Sequence, residues 1–234
     1  MSAASKSFSP SSPRPTLVSA APGILRDQAA RRSLWLQISL AYLLLQASLW
    51  TPPGPLAILW MILTTGVIFF FAFNGRYGVK EMGLAWPTLR GSLWIVGIGI
   101  ALIAAIPVVA AFTHADQGPT HVLPLRTAWR YALWAVEQQF ILQSFFYLRL
   151  ETLLGSRKAV FAAALLFATV HIPSPILVLG TLAGGLFFCE MFRRFRNIFP
   201  LGLVHAAMGL TMAASFSDSL LHHMRVGIGY LWFH

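Results

Sequence analysis

Residues 33–75 read SLWLQISLAYLLLQASLWTPPGPLAILWMILTTGVIFFFAFNG, 43 residues without one charged side chain. A helix needs about 20 apolar residues to cross the hydrocarbon core of a bilayer. The stretch is therefore about twice too long for a single crossing. The run Thr51-Pro52-Pro53-Gly54-Pro55 divides it, because proline lacks an amide donor and favours turns. The expectation is two spans, 33–50 and 56–73.

The same reading extends to the C-terminus. Residues 91–115 carry no charge and hold a third span, 92–112. A fourth, 127–148, is unusual for its polar content. The uncharged run 159–189 is broken by His171-Ile172-Pro173-Ser174-Pro175. It gives a short fifth span, 158–171, and a sixth, 175–192. A seventh lies at 197–216, and the aromatic stretch 219–234 is an interfacial segment or a truncated eighth. No internal repeat is visible. The expected fold is all-α: a polytopic membrane helix bundle over 33–218 with about seven to eight transmembrane helices. Residues 1–32, rich in Ser, Pro and Ala, read as a mobile tail and carry no signal-peptide pattern.

Composition agrees. Hydrophobic residues make up 57% of the 234 and charged ones only 10%, with a mean hydropathy of +0.69. Ordinary soluble domains are roughly 25% charged. This balance excludes a disordered chain and argues against a soluble enzyme. The net charge of +10 would point to nucleic acid in a soluble protein. Here it reads as basic loops that orient membrane helices and meet anionic headgroups, so the expected partner is the bilayer and not nucleic acid. Counting Lys and Arg loop by loop puts 14 on one side and only Arg126, Arg130 and Arg225 on the other. The positive-inside rule then places the tail in the cytoplasm, and the compactness of the chain leads to the expectation of a prokaryotic inner (plasma) membrane. Cys189 is the sole cysteine, which excludes an intramolecular disulfide and a cysteine-based zinc site.

Ionisable groups inside a span are expensive and mark function by default. Glu190 lies within one helical turn of Arg193 and Arg194 and reads as an ion pair. Glu137 sits in the run Trp134-Ala-Val-Glu-Gln-Gln-Phe-Ile-Leu-Gln-Ser144, among Gln138, Gln139 and Gln143. Lipid cannot satisfy four such groups, so they are expected to face the protein interior or water. His171 ends the fifth span and His205 lies within the seventh. At 1.5 Å per residue Glu137 is roughly 18 Å from Arg149, His171 roughly 20 Å from Lys158, and His205 roughly 14 Å from Arg196. All three anchors are expected on the cytoplasmic side, so the three groups are expected at a common depth. A carboxylate with two imidazoles can activate water, the Glu as general base and the imidazoles orienting water, stabilising an oxyanion or ligating a metal. By helix geometry Glu137 is expected to face with Ile141 and Ser144, away from the three glutamines.

This pattern resembles the CPBP family of intramembrane proteases, the CAAX-protease and bacteriocin-processing (Abi) family. Its motifs are Glu-Glu-x-x-x-Arg, Phe-x-x-x-His and His-x-x-x-Asn on successive membrane helices. Phe167-Ala-Thr-Val-His171 matches the second, and Arg196 to His205 looks like the approach to the third. The resemblance covers about 127–216. In the best register Gln138, Gln139 and Gln143 fall at the three polar positions of the first motif, and Gly209 stands at the Asn of the third. The chain thus resembles a divergent member. The resemblance implies an intramembrane endopeptidase acting on a membrane-associated protein or peptide. Glu137, His171 and His205 would be catalytic, with Gln138, Gln139 and Gln143 as polar pocket residues. It leaves open whether there is no cofactor or a single divalent metal such as zinc, held by His171 and His205. The alternative is a catalytically impaired relative acting as a membrane peptide-binding adaptor or immunity protein. A small transporter fits less well, since repeats and broken-helix pairs are missing. No His-Glu-x-x-His, Gly-x-Gly-Asp or in-span Gly-x-Ser of other intramembrane proteases occurs.

Overall fold

The computed structural model describes residues 27–114 and 125–232. Most of the predicted tail, residues 1–26, lies outside them. Ten helices follow one another: α1 Gln28–Trp50, α2 Pro55–Phe73, α3 Leu89–Phe112, α4 Leu125–Gln139, α5 Leu148–Leu154, α6 Ser156–Thr169, α7 Pro175–Phe195, α8 Ile198–Ser215, α9 Asp218–Leu221 and α10 Ile228–Leu231. A π-helical segment, Phe140–Tyr147, joins α4 to α5 without a break. Among the described residues there is no strand. Five helices are long and apolar enough to cross a membrane: α1, α2, α3, α7 and α8. The expected count of seven to eight is not confirmed: α6 has only 14 residues and α4 only 15, each short of a full crossing. Over the described residues the fold is all-helical, and its apolar helices are those of an integral membrane protein.

Side chains start these helices where the sequence offers them. Asp27 caps α1 by accepting from the amide of Ala29 at 2.9 Å. Residues 28–32, assigned above to the tail, therefore form the first turn of α1. Thr88, Ser174 and Asn197 cap α3, α7 and α8 in the same way. Pro55 and Pro175 sit at helix starts, where a missing amide hydrogen costs nothing.

The bundle closes through small residues. Lipid tails are as apolar as leucine, so helices in a bilayer associate through close packing rather than through expulsion from water. A Cβ added at Gly99 on α3 would lie 2.6 Å from Val204 on α8. One added at Gly202 on α8 would lie 2.6 Å from the Val136 side chain and 3.0 Å from its Cα on α4. Overpacking of this kind costs about 1–3 kcal/mol. Gly202→Val is therefore expected to lower the thermal midpoint in detergent and to reduce any activity, since it displaces the residue next to Glu137. An unchanged midpoint would contradict this packing.

The loop 76–88 seals one end of the bundle. Tyr77 donates to the Leu148 carbonyl at 3.2 Å and lies 2.9 Å from the Thr152 hydroxyl. Burial pushes its phenol above its ordinary pKa, so it stays a neutral donor. The Gly83 carbonyl accepts from the amide of Ile198, and the Ala85 carbonyl from the Asn197 side chain at 2.7 Å. A Cβ at Gly83 (φ +72) would strike the Phe192 ring. The loop thereby holds the turn between α7 and α8. Nearby Arg196 forms a forked ion pair with Glu151, both contacts at 2.6 Å. Glu190 is paired with Arg193 and Arg194, as its spacing predicts.

Arg149 corrects the loop count. It is fully buried, not a solvent-facing loop cation. Its guanidinium donates to Gln37 Oε1 at 2.9 Å, the Phe145 carbonyl at 3.1 Å and the Phe71 carbonyl at 2.9 Å. It also lies 3.8 Å from the centre of the Phe145 ring. Phe71 is in the last turn of α2, where carbonyls lack intrahelical partners. The arginine thus ties α1 and α2 to the π-helical segment.

Candidate functional site

A cavity of about 240 Å³ lies between α1, α2, α4, α6, α7 and α8. Glu137 and Gln138 from α4, His171 just beyond α6 and His205 from α8 all line it. Three separate parts of the chain thus bring the one acid and both imidazoles to the lining of one cavity. Most of the remaining wall is apolar, including Leu45, Leu49, Met61, Met208 and Met212. Among the described residues, Glu137 is the only carboxylate that lines it.

The backbone explains each placement. α6 ends at Thr169, and the following turn carries His171 just ahead of Pro173, which cannot continue a helix. His171 Nδ1 is 2.8 Å from the Phe167 carbonyl. A carbonyl only accepts, so Nδ1 carries the proton and the Nε2 lone pair is left over. The Phe167 ring then stands edge-on to both imidazoles, 5.0 Å from His171 and 5.8 Å from His205. This shared phenylalanine is what the Phe-x-x-x-His spacing supplies.

His205 has the opposite tautomer. Gln143 Nε2 donates to Gln139 Oε1 at 3.2 Å and approaches Cys189 Sγ at 3.7 Å. With its oxygen so engaged, Gln139 presents its NH₂ to His205 Nδ1 at 3.2 Å. His205 Nδ1 accepts, and Nε2 carries the proton. The Phe188 ring, 5.1 Å away, and the Ala135 carbonyl complete its surroundings. One imidazole offers a lone pair and the other an N–H.

Gln139 and Gln143 are therefore not pocket residues. Both are fully buried behind His205 and hold its orientation. The expected facing of the helix also needs correction. Gln138 lines the cavity beside Glu137, and Ile141 does too, but Ser144 does not. Ser144 donates instead to the Met82 carbonyl at 2.6 Å, in the sealing loop. In the π-helical segment hydrogen bonds run five residues apart, so each residue turns less than in an α-helix. The seven-residue repeat from Glu137 to Ser144 is lost by that change of phase. Tyr131 also lines the cavity and was missed by the sequence reading. Its signal was the seven-residue spacing to Gln138.

Among the described residues, no three His, Cys, Asp or Glu side chains come together as a metal site. The donor set does not fit a three-ligand zinc centre, in which the only carboxylate would also be spent as a ligand. The C-terminal segment adds Met224 and Val226 to the cavity wall, and the Gly227 amide donates to the Ile172 carbonyl at 2.9 Å.

Neither a curated protein nor a solved structure matches the chain. Residues 125–211 match the family model Rce1-like, described as type II CAAX prenyl endopeptidase Rce1-like. The matched stretch holds Tyr131, Glu137, Gln138, His171 and His205, and over it the chain is similar to that family.

Proposed function

We propose that the protein is an intramembrane endopeptidase that hydrolyses a peptide bond in a membrane-associated protein or peptide. The family match supports a CAAX-protease-type activity. The observation that carries the finer reading is that Glu137, His171 and His205 all line one cavity. A water between Glu137 and His171 would donate one hydrogen bond to the carboxylate and one to His171 Nε2. As its oxygen adds to the scissile carbonyl carbon, its proton passes to Glu137. The carbonyl π electrons move to oxygen, where His205 Nε2–H stabilises the negative charge. Collapse breaks the C–N bond, and Glu137 returns the proton to the leaving amine. No step needs a metal. The apolar wall would take the lipid-facing or lipidated part of a substrate, while the polar wall meets its backbone.

The test uses purified protein in nanodiscs with internally quenched peptides ending in Cys-aliphatic-aliphatic-x, with and without a farnesyl group on the cysteine. Wild type is expected to cleave at least one of them, and His171→Ala and His205→Ala to lose about 100-fold or more in kcat. Full activity in both histidine variants would end this reading. The second reading, an impaired relative that binds membrane peptides, is favoured by Gln138 and Gly209 at motif positions. It predicts peptide binding with no cleavage.

A further inference from the structure

Gly209 stands where the third motif carries Asn, one turn beyond His205 on α8. The space that a side chain would fill there is already occupied. A Cβ built at Gly209 falls on the Tyr131 hydroxyl, with the phenol carbons just behind it. Tyr131 comes from α4, and its ring lines the same cavity as Glu137, His171 and His205. Among the described residues its hydroxyl has no hydrogen-bond partner and is not sealed in the interior, so it is open to the cavity that its ring lines. Every other tyrosine in the membrane-embedded core is engaged: Tyr42 is 2.9 Å from the Thr169 hydroxyl, and Tyr147 donates to Glu151. An unengaged phenol at the wall of a cavity is a donor waiting for an occupant.

The packing of α4 on α8 gives its position relative to the reacting groups. Val136 faces Gly202 and Tyr131 faces Gly209, so the two helices run antiparallel. His205 lies between those two levels. Glu137 lies about 9 Å along α4 from Tyr131, six residues at 1.5 Å each. The long Glu137 and Tyr131 side chains would approach one scissile carbonyl from opposite sides, with His205 at the level between them.

We infer that Tyr131 is a catalytic residue, whose hydroxyl is the second hydrogen-bond donor to the carbonyl oxygen as it becomes an oxyanion, in the place vacated at Gly209. This rests on the endopeptidase reading above. Water's oxygen forms the new bond to carbon, its proton goes to Glu137, and the carbonyl electron pair moves to oxygen. Tyr131 donates a hydrogen bond to that oxygen and keeps its proton throughout. Glycine at 209 is then a requirement of the site, because any larger residue displaces the phenol.

The experiment measures kcat and KM for wild type, Tyr131→Phe, Gly209→Ala and Glu137→Gln on the same quenched peptides in nanodiscs, with thermal midpoints. Tyr131→Phe removes one oxygen atom and leaves the ring packing intact. It is expected to lower kcat about 100-fold, the usual loss for one oxyanion donor, with KM within about twofold and the midpoint unchanged. Gly209→Ala is expected to show the same loss in kcat. If Tyr131→Phe keeps more than about half of the wild-type kcat while Glu137→Gln is dead, this inference falls and the endopeptidase reading stands. A loss in Tyr131→Phe that appears only in KM also overturns it. If wild type cleaves nothing, or Glu137→Gln cleaves as wild type does, both fall together.

Discussion

Glu137→Gln is expected to abolish peptide cleavage while the protein still folds and binds peptide. The carboxamide has nearly the same shape, so the cavity is preserved, but it cannot take a proton from water. General-base catalysis contributes about 10² to 10⁴-fold, and the loss should fall in that range. Gln138→Ala is the informative partner. Gln138 lines the same wall and holds the first polar position in the best motif register, yet it has no basic function. It is expected to retain activity within about tenfold. Cleavage kinetics decide the matter: an active Glu137→Gln with an inactive Gln138→Ala would transfer the central role to the glutamine register.

The largest effect on stability is expected at Arg149. Its head group donates to one side chain and two backbone carbonyls, at 2.9, 3.1 and 2.9 Å. Arg149→Met keeps the apolar stem and removes all three donors. The Phe71 carbonyl, near the end of α2, is then left buried at a cost of about 1–3 kcal/mol. The stacking on Phe145, worth up to about 2 kcal/mol when desolvated, goes as well. A loss of about 3–5 kcal/mol is expected, read as a lower midpoint in denaturation from detergent micelles. Arg149→Lys should recover little of it, because a single ammonium cannot reach three acceptors arranged around a planar fork. A loss below about 1 kcal/mol would mean that Arg149 is not what joins α1 and α2 to the π-helical segment.

Much of the scaffold was legible because proline punctuates it. The turn at Pro52-Pro53-Gly54-Pro55 set the end of α1 at Trp50, as expected, and the start of α2 at Pro55, one residue before the span expected. The break at Pro173 likewise separated α6 from α7. The pairing of Glu190 was legible for a different reason: its partners lie three and four residues away on one helix. What escaped depends on contacts distant in the chain. Arg149 follows a polar-to-apolar boundary and looks like a loop cation, and only Gln37 and Phe71, 112 and 78 residues away, reveal it as a buried tie. The π-helical segment has no pattern in composition, so the facing of Ser144 was misjudged.

The polar residues of the site divide along the same line. Glu137, His171 and His205 stood out because each is ionisable within an apolar stretch, and all three line one cavity. Gln139 and Gln143 stood out equally, but they lie one layer back, setting the tautomer of His205 rather than facing the cavity. Sequence spacing shows that a group must be inside, not which layer it occupies. Tyr131 was overlooked because Gly209 had been read by itself. The glycine looks like a loss until the phenol from α4 is seen occupying its space.

The most direct measurement is a double-mutant cycle on cleavage rate with Glu137→Gln, His171→Ala and the combination. Groups that act on one water lose their effect together, so the double variant should be no slower than the slower single variant, within about threefold. Losses that multiply in the double variant would show two groups acting separately, and the single water held between acid and imidazole would have to be abandoned.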